Sequence, residues 1–553
     1  MNLRTIFAKT AENPGHTDQD RLLSILRLIS LALVLAMVAC VRIRLLDIPL
    51  ERDEGEYAYL GQLLLKGSTP FLHAYTMKLP GAGIAYALIM FLFGETVRGI
   101  HLGHLAVNGV NALLVFLLAR RLLGNDAAPV SCAAYAVLSL SATVLGVFAH
   151  ATHFVVLFAL LSSIAMLRWQ ESRKAMLLFM SGMLLGLAVI MKQHAAILVV
   201  FAVLYLATDV MGPDTRPARS RLGACALFLL GAFIPYALIA LWMAAAGVFG
   251  TFWFWTVTYA GSYASASTFA DGWQAFVRKI DVVMLGPQLP LWLLAGMGGI
   301  VLCTPSGRRT DRAFLYGLAV FSFLAACPGF YFRKHYFVMV LPAVALLAGF
   351  AVAASERAIS AAARGNALRF VPLGIFLAAV GYGVYHERDY LFSESPFAVS
   401  RSIYGINPFP EAQQIARYLR EHTSAHDTIA VVGSEPEIYF YAGRPAATSY
   451  IYMYSLMEKQ PYAESMQVEM IRQIEKARPA YIVMVNTPAS WLETQDSSET
   501  ILRWVAEYVA AGYEPAGMID ILSYTETVYL WGAEAAGHAP ESVSSVILYK
   551  RKN

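Results

Sequence analysis

Along roughly the first 385 residues, mostly uncharged blocks of about 16–25 residues alternate with short polar segments, and the remainder has the mixed pattern of a water-soluble protein. A helix rising roughly 1.5 Å per residue needs about 20 residues to cross roughly 30 Å of hydrocarbon, so each block is a candidate membrane span. The pattern predicts about eleven, at 28–46, 100–119, 129–149, 152–167, 175–191, 195–211, 222–246, 283–303, 313–329, 336–354 and 370–385. Arg42 and Arg44 at one end of the first, and Asp209 at one end of the sixth, are placed to snorkel. The run from Pro80 to Phe93 is short for a span and reads as an interfacial or re-entrant helix.

Beyond the last block the period changes. Helical spacing at 411–421 is followed by a β-branched run at 428–433, and the pairing repeats at 464–477 with 480–485 and at 499–511 with 517–522. Late strands are predicted at 527–531 and 546–550. The fold class expected is therefore mostly α: a polytopic helical membrane domain over 1–386 and a soluble, three-layer α/β domain over 387–553. No glycine-rich phosphate fingerprint opens its helices, because Gly433-Ser434-Glu435-Pro436 is too short to make one.

Composition agrees with a membrane protein, since 58% of the 553 residues are hydrophobic and only 14% are charged. The net charge of +4 is spread over short clusters instead of one stripe, which removes nucleic acid as a partner. Five cysteines, all in or beside apolar blocks, supply neither a disulfide framework nor a zinc set. Met37 lies three residues before Cys40 and fits a lipoprotein-type signal poorly, so the first block reads as an uncleaved helix.

The clusters report topology instead. With the N-terminus in the cytoplasm, every inner segment is basic: Arg4, Lys9 and Arg21; Arg120 and Arg121; Arg168, Arg173 and Lys174; Arg216, Arg219 and Arg221; Arg308, Arg309 and Arg312; Arg357, Arg364 and Arg369. Counting Pro80–Phe93 as a span would turn these clusters outward. The same threading places the chain after about 387 on the outer face. Basic residues left on that face, among them Arg52, Lys78, Lys192, Lys279, Arg333 and Lys334, run against the bias and either snorkel or meet a ligand.

After the first span, Asp53, Glu54 and Glu56 lie within a few residues of the hydrocarbon edge, where a carboxylate is costly unless it faces water, a cation or a substrate. Leu60, Leu63 and Leu64 then recur at helical spacing, which predicts an amphipathic helix on the membrane surface. Asp53 or Glu54 either accepts a proton from a hydroxyl nucleophile or caps that helix. His150 and His153 flank a turn on the outer side, and Lys192-Gln193-His194 interrupts two apolar runs there. Arg333, Lys334 and His335 sit among aromatic rings from Phe330 to Phe337, a composition suited to a lipid-linked phosphate or to an ordinary interfacial belt. The aromatic stretch Phe249 to Lys279 reads either as a lid or as an interfacial anchor.

An Asp-Glu pair after the first span, a following helix with Tyr57, then Lys78-Leu79-Pro80 before a short apolar helix, and a span ending Ala119-Arg120-Arg121-Leu122-Leu123-Gly124 resemble the GT-C glycosyltransferases. The likeness is to the aminoarabinose-transferase and protein O-mannosyltransferase branch, strongest over 47–124. It implies a polyprenyl-phosphate sugar donor, Asp53 as base or acceptor-orienting residue with Glu54 beside it, and Lys78 on the phosphate. Tyr57, His150, His153, Lys192, Arg333, Lys334 and His335 are the further residues expected around the substrates. Glu56 and Met77 depart from the branch, which tends to place Arg and an acidic residue there.

The reading that follows is a glycosyltransferase acting on a lipid, glycan or protein acceptor at the outer face. No metal is demanded, although paired carboxylates at Asp53 and Glu54 offer a place for one. A flippase carrying the same lipid would show broken or charged helices at mid-membrane and internal repeats, and a purely structural protein would not need the carboxylates of the first loop.

Overall fold

The computed structural model describes residues 18–208, 218–304, 308–362 and 367–552, so that Arg4, Lys9, Asp209, Arg216 and Arg364 lie outside the described residues. The apolar blocks form helices α1 (Asp18–Arg44), α2 (Arg52–Leu65), α3 (Gly81–Phe93), α4 (Val97–Leu122), α5 (Ala127–Leu138), α6 (Ala151–Ser172), α7 (Ala175–Met191), α8 (Ala196–Ala207) and α9 (Ala218–Ala245). They continue as α10 (Phe269–Val283), α11 (Leu289–Leu302), α12 (Arg309–Leu324), α13 (Leu341–Ala362) and α14 (Val371–His386). Each of the eleven predicted blocks contains one helix, and six of these, α1, α4, α6, α9, α13 and α14 with the turn before it, have the length and composition of a full crossing.

The block at 129–149 departs from a plain span. Its helix stops at Leu138 and the chain turns through a short 3₁₀ segment at Ala142–Val144, with Leu145 in the left-handed region at φ 59°. Freed backbone groups are satisfied from elsewhere: Arg42 donates to the carbonyls of Ser139 and Gly146 at 2.8 and 3.0 Å, and the Glu387 carboxylate accepts from Ser141 Oγ and Ala142 N–H. Irregular backbone at this depth persists because protein groups replace the missing water. The same bend turns the chain toward His150, which stands at the N-cap position of α6 without a side-chain capping bond.

Ion pairs join segments that the charge pattern assigns to one face. Arg27 on α1 pairs with Asp126 and Glu356, and Arg121 at the end of α4 pairs with Glu171 and Asp311. The loops from the other ends of the helices converge on the first loop and on the C-terminal half.

That half includes α15 (Pro396–Tyr404), α16 (Phe409–Glu421), α17 (Glu437–Ala442), α18 (Ala463–Ala477) and α19 (Thr500–Gly512). Its five strands are β1 (Ile429–Val432), β2 (Tyr481–Asn486), β3 (Tyr513–Ile521), β4 (Thr527–Trp531) and β5 (Ser545–Arg551), in the order β1-β2-β5-β3-β4. The connection from β1 to β2 carries helices and is long enough to make that pair parallel, whereas β3 and β4 form a short antiparallel hairpin. β5 enters between β2 and β3, antiparallel to both. The elements fall where their periodicity predicts, and the insertion of β5 is decided by tertiary pairing.

Helix α2 does not lie on an open surface as its leucine spacing predicts. Residues from Glu54 to Gln62 are buried between the membrane helices and the sheet domain. Tyr59 stacks on Tyr439 with centroids 5.2 Å apart, and its hydroxyl accepts from Ala446 N–H at 2.9 Å. Gly55 permits this contact, because a Cβ there would lie 2.6 Å from the backbone nitrogen of Glu437. The face that repels water packs against protein on both sides, which burial of apolar area favours as well as lipid would.

Candidate active site

Helix α2 begins with a reciprocal cap: Glu51 accepts from Glu54 N–H at 2.9 Å, and the Glu54 carboxylate accepts from Glu51 N–H at 3.3 Å. Glu54 also accepts from Ala149 N–H at 2.5 Å and lies 3.1 Å from His101 Nε2. It is completely buried and fixes the helix start to the bend before α6. Of the two carboxylates expected together at the reaction centre, only Asp53 points into the cavity.

That cavity is about 870 Å³ and lies between the first loop, the ends of α6, α7 and α13, the segment after α9, and the sheet domain. Asp53, Tyr57, Lys78, His150, Lys192, Arg333, Lys334 and His335 all line it. His153 does not; it sits one turn inside α6, fully buried, with its ring edge-on to His104 at 4.5 Å.

Lys78 is held on one wall by two carboxylates, with Nζ 2.7 Å from Asp53 Oδ1 and 2.6 Å from Glu56 Oε2. Its ammonium also lies 4.6 Å from the centre of the Tyr57 ring. Burial raises the Asp53 carboxyl, but the Lys78 ammonium, with His335 and His150, outweighs it and holds the group well below the usual carboxylate range. Glu51 goes the other way: burial, and then the charges of Asp53 and Glu54, push it well above its ordinary value. The two acids, two residues apart, are thus driven in opposite directions, and Asp53 is the one that stays ionised.

The lining also carries cations without acidic partners among the described residues. Among the described residues, neither Lys192 nor Arg333 has a carboxylate within ion-pair distance; Lys192 lies over the Tyr336 ring at 4.3 Å, and Arg333 donates to Tyr263 Oη at 3.3 Å. Burial, only partly offset by Asp53, lowers the Lys192 ammonium from 10.5 to about 7. Lys279 and Lys334 also line the cavity.

Asp53, His150 and His335 form a third grouping. His150 Nδ1 and His335 Nε2 are each 3.9 Å from Asp53 Oδ2, and the two rings stack at 4.2 Å. Burial lowers both imidazoles, that of His150 to about 4, so both are neutral at pH 7. One carboxylate and two neutral imidazoles, with ligand atoms all within 4.8 Å, are the donor set of a divalent transition metal such as zinc. Neither nitrogen of His150 has a hydrogen-bond partner, as a ligand-ready imidazole requires.

Sequence reasoning missed what the sheet domain brings. Arg52 donates to Ser434 O at 2.6 Å, Glu435 at 2.8 Å and Tyr454 Oη at 2.8 Å, pinning that domain over the first loop. Tyr450, Tyr452, Tyr454 and Glu458 thereby reach the cavity. The only signal for the tyrosines is the alternation in Tyr450-Ile451-Tyr452-Met453-Tyr454, which in extended backbone sets the three rings apart from Ile451 and Met453.

Residues 77–243 match the model of the dolichyl-phosphate-mannose-protein mannosyltransferase family, a stretch that includes Lys78, His150 and Lys192 but ends short of Arg333. No curated protein matches the chain in sequence. In fold, the chain is similar to ArnT from Cupriavidus metallidurans bound to undecaprenyl phosphate, with TM-score 0.53 and 16% identity over 92% of this chain and 99% of that one. It is also similar to the Archaeoglobus fulgidus oligosaccharyltransferase in its complex with Zn and sulfate, with TM-score 0.53 and 16% identity over 94% and 75% of the two chains. At such identity the likeness is one of fold. By a partial sequence match and by an architecture shared over more than nine-tenths of its length, the chain resembles the GT-C membrane glycosyltransferases.

Proposed function

We propose that the chain is a membrane glycosyltransferase that moves a sugar from a polyprenyl-phosphate donor to an acceptor held in this cavity. The observation that carries the reading is that one cavity holds an ionised, lysine-held Asp53 together with two cations, Lys192 and Arg333, that have no carboxylate partner among the described residues. A leaving phosphate needs its charge neutralised, and Arg and Lys at an enclosed site supply that. Support comes also from the mannosyltransferase-family match and from ArnT, whose structure holds undecaprenyl phosphate.

In the reaction, an acceptor oxygen attacks the anomeric carbon as the bond to the phosphate oxygen breaks, and that oxygen keeps the electron pair. Asp53 accepts the hydrogen bond of the attacking hydroxyl and takes its proton as the new carbon–oxygen bond forms. Lys78 keeps Asp53 ionised and aimed. Lys192 and Arg333 hold the departing phosphate, and a single displacement inverts the anomeric centre. Asp53, His150 and His335 would hold a divalent ion, which supplies Lewis acidity when bound. The positive-inside bias supports an extracytoplasmic position for the cavity.

Mass analysis of envelope glycolipids and glycans from cells with and without the gene tests the reading. One glycosylated species should lose a defined sugar mass, and the purified chain should release polyprenyl phosphate from the matching donor. Unchanged profiles together with no donor turnover would reject it.

A further inference from the structure

The sheet domain places three alternate tyrosines, Tyr450, Tyr452 and Tyr454, on the wall of the same cavity that holds Asp53. The outer two are fixed. Tyr450 donates to Glu469 at 2.7 Å and packs against Tyr75 at 5.1 Å and Trp255 at 5.9 Å between ring centres. Tyr454 donates to Ala489 O at 2.7 Å and accepts from Arg52 at 2.8 Å. Tyr452 stands between them, edge-on to Tyr454 at 4.7 Å and half-buried, and its hydroxyl has no hydrogen-bond partner among the described residues. The Lys78 ammonium that holds Asp53 lies 5.9 Å from the Tyr452 ring centre.

We propose that Tyr452, flanked by Tyr450 and Tyr454, is a stacking face for a pyranose ring, so that the sheet domain supplies the sugar-recognition wall of this cavity. The inference rests on the reading of the cavity as a glycosyl-transfer site. A sugar ring has one apolar face of C–H bonds and a rim of hydroxyls, so it is matched by a flat aromatic surface beside hydrogen-bond acceptors. This wall offers both, because Asp53, Glu56 and Glu458 line the cavity with the tyrosines. An isoprenoid tail would find carboxylates where it needs aliphatic groups. A peptide read through its backbone would need an unpaired strand edge, and this strip presents rings. Preformed rings also lower the entropy lost on binding, since the flanking hydroxyls are already bonded.

The pyranose belongs either to the donor or to the acceptor, and binding measurements on the purified full-length chain in nanodiscs separate the two. The probes are undecaprenyl phosphate, undecaprenyl phosphate bearing one hexose, a panel of methyl hexopyranosides read by saturation-transfer NMR, and a serine- and threonine-containing peptide. If the ring is the donor's, the sugar-bearing lipid binds about five- to tenfold tighter than the bare lipid, and Tyr452→Ala abolishes that difference. If it is the acceptor's, methyl hexopyranosides give transfer signals that Tyr452→Ala removes and that the sugar-bearing lipid does not displace. In both cases Tyr452→Phe retains the effect, Tyr452→Leu loses it, and bare lipid binding stays within about twofold.

Sugar probes that bind Tyr452→Ala and Tyr452→Leu as they bind the natural chain would overturn the proposal, as would peptide binding that is lost in their place. Failure of undecaprenyl phosphate to bind the natural chain would instead count against the donor assignment, while the hexopyranoside arm still decides the stacking face.

Discussion

Two sets of side chains in one cavity solve the problem of buried charge differently. On the first-loop wall, Lys78 is neutralised by Asp53 and Glu56, and the three side chains form a closed set. Elsewhere on the lining, Lys192 and Arg333 have rings and a phenol for company but no acid within ion-pair distance among the described residues. A buried charge without a counter-ion is costly, and the cost shows at Lys192, whose ammonium is lowered to about 7. The contrast teaches that one set of charges is balanced within the protein, whereas the other has no acid beside it among the described residues, which is where the proposed function puts the donor phosphate.

The largest effect that would break the comparison is at Asp53. Asp53→Asn keeps the shape and removes the charge, so turnover in a reconstituted transfer assay should fall by about 10²–10⁴ while lipid binding stays near that of the natural chain. Full turnover would remove Asp53 from the reaction. Next comes Lys78→Met, which leaves Asp53 and Glu56 facing each other without their cation. Since the ammonium is what holds Asp53 low, the acid limb of the rate profile should move to higher pH, with turnover reduced by about 10–100-fold. An unmoved acid limb would show that Lys78 does not set Asp53.

Among the cations, Arg333→Ala should raise the half-saturating concentration of lipid donor about tenfold with little change in turnover, as expected for lost charge-assisted hydrogen bonds. Unchanged donor dependence would place the phosphate elsewhere. Lys192 sharpens the comparison through pH. It is protonated below about 7 and neutral above, so its contribution to holding undecaprenyl phosphate should decline as pH rises through that value, against the steady charges of Arg333, Lys78 and Asp53. Lys192→Arg should flatten the decline, because a guanidinium stays charged. The smallest effect is expected at Lys334, which is part-exposed, and Lys334→Ala should change donor binding by no more than about twofold.

How much of this was legible depends on the reach of each interaction. Period and length located the helices and strands because those signals are local, matching the ends of α7 over 175–191 and β4 over 527–531 but missing those of others by several residues, as at α13, which spans Leu341–Ala362 where the pattern predicts 336–354. The bend at 139–150 escaped because an apolar run looks the same whether its carbonyls bond within a helix or to Arg42. Position along the chain also could not tell Asp53 from Glu54. The first faces the cavity and the second closes a cap, a difference of about 100° around one helix turn.

By itself the sequence determined the class of protein, the two-part layout expected of it, and the inventory of acids, cations and imidazoles near one edge of the apolar blocks. Those follow from composition and periodicity, which each residue carries with it. Which side chains meet was decided by tertiary structure alone: Lys78 closing on Asp53, His335 arriving beside His150, and Tyr452 entering from a domain almost 400 residues downstream of Asp53. Contacts of that kind depend on how helices pack and where a sheet docks, and no local pattern encodes the distance between residues that only folding brings together.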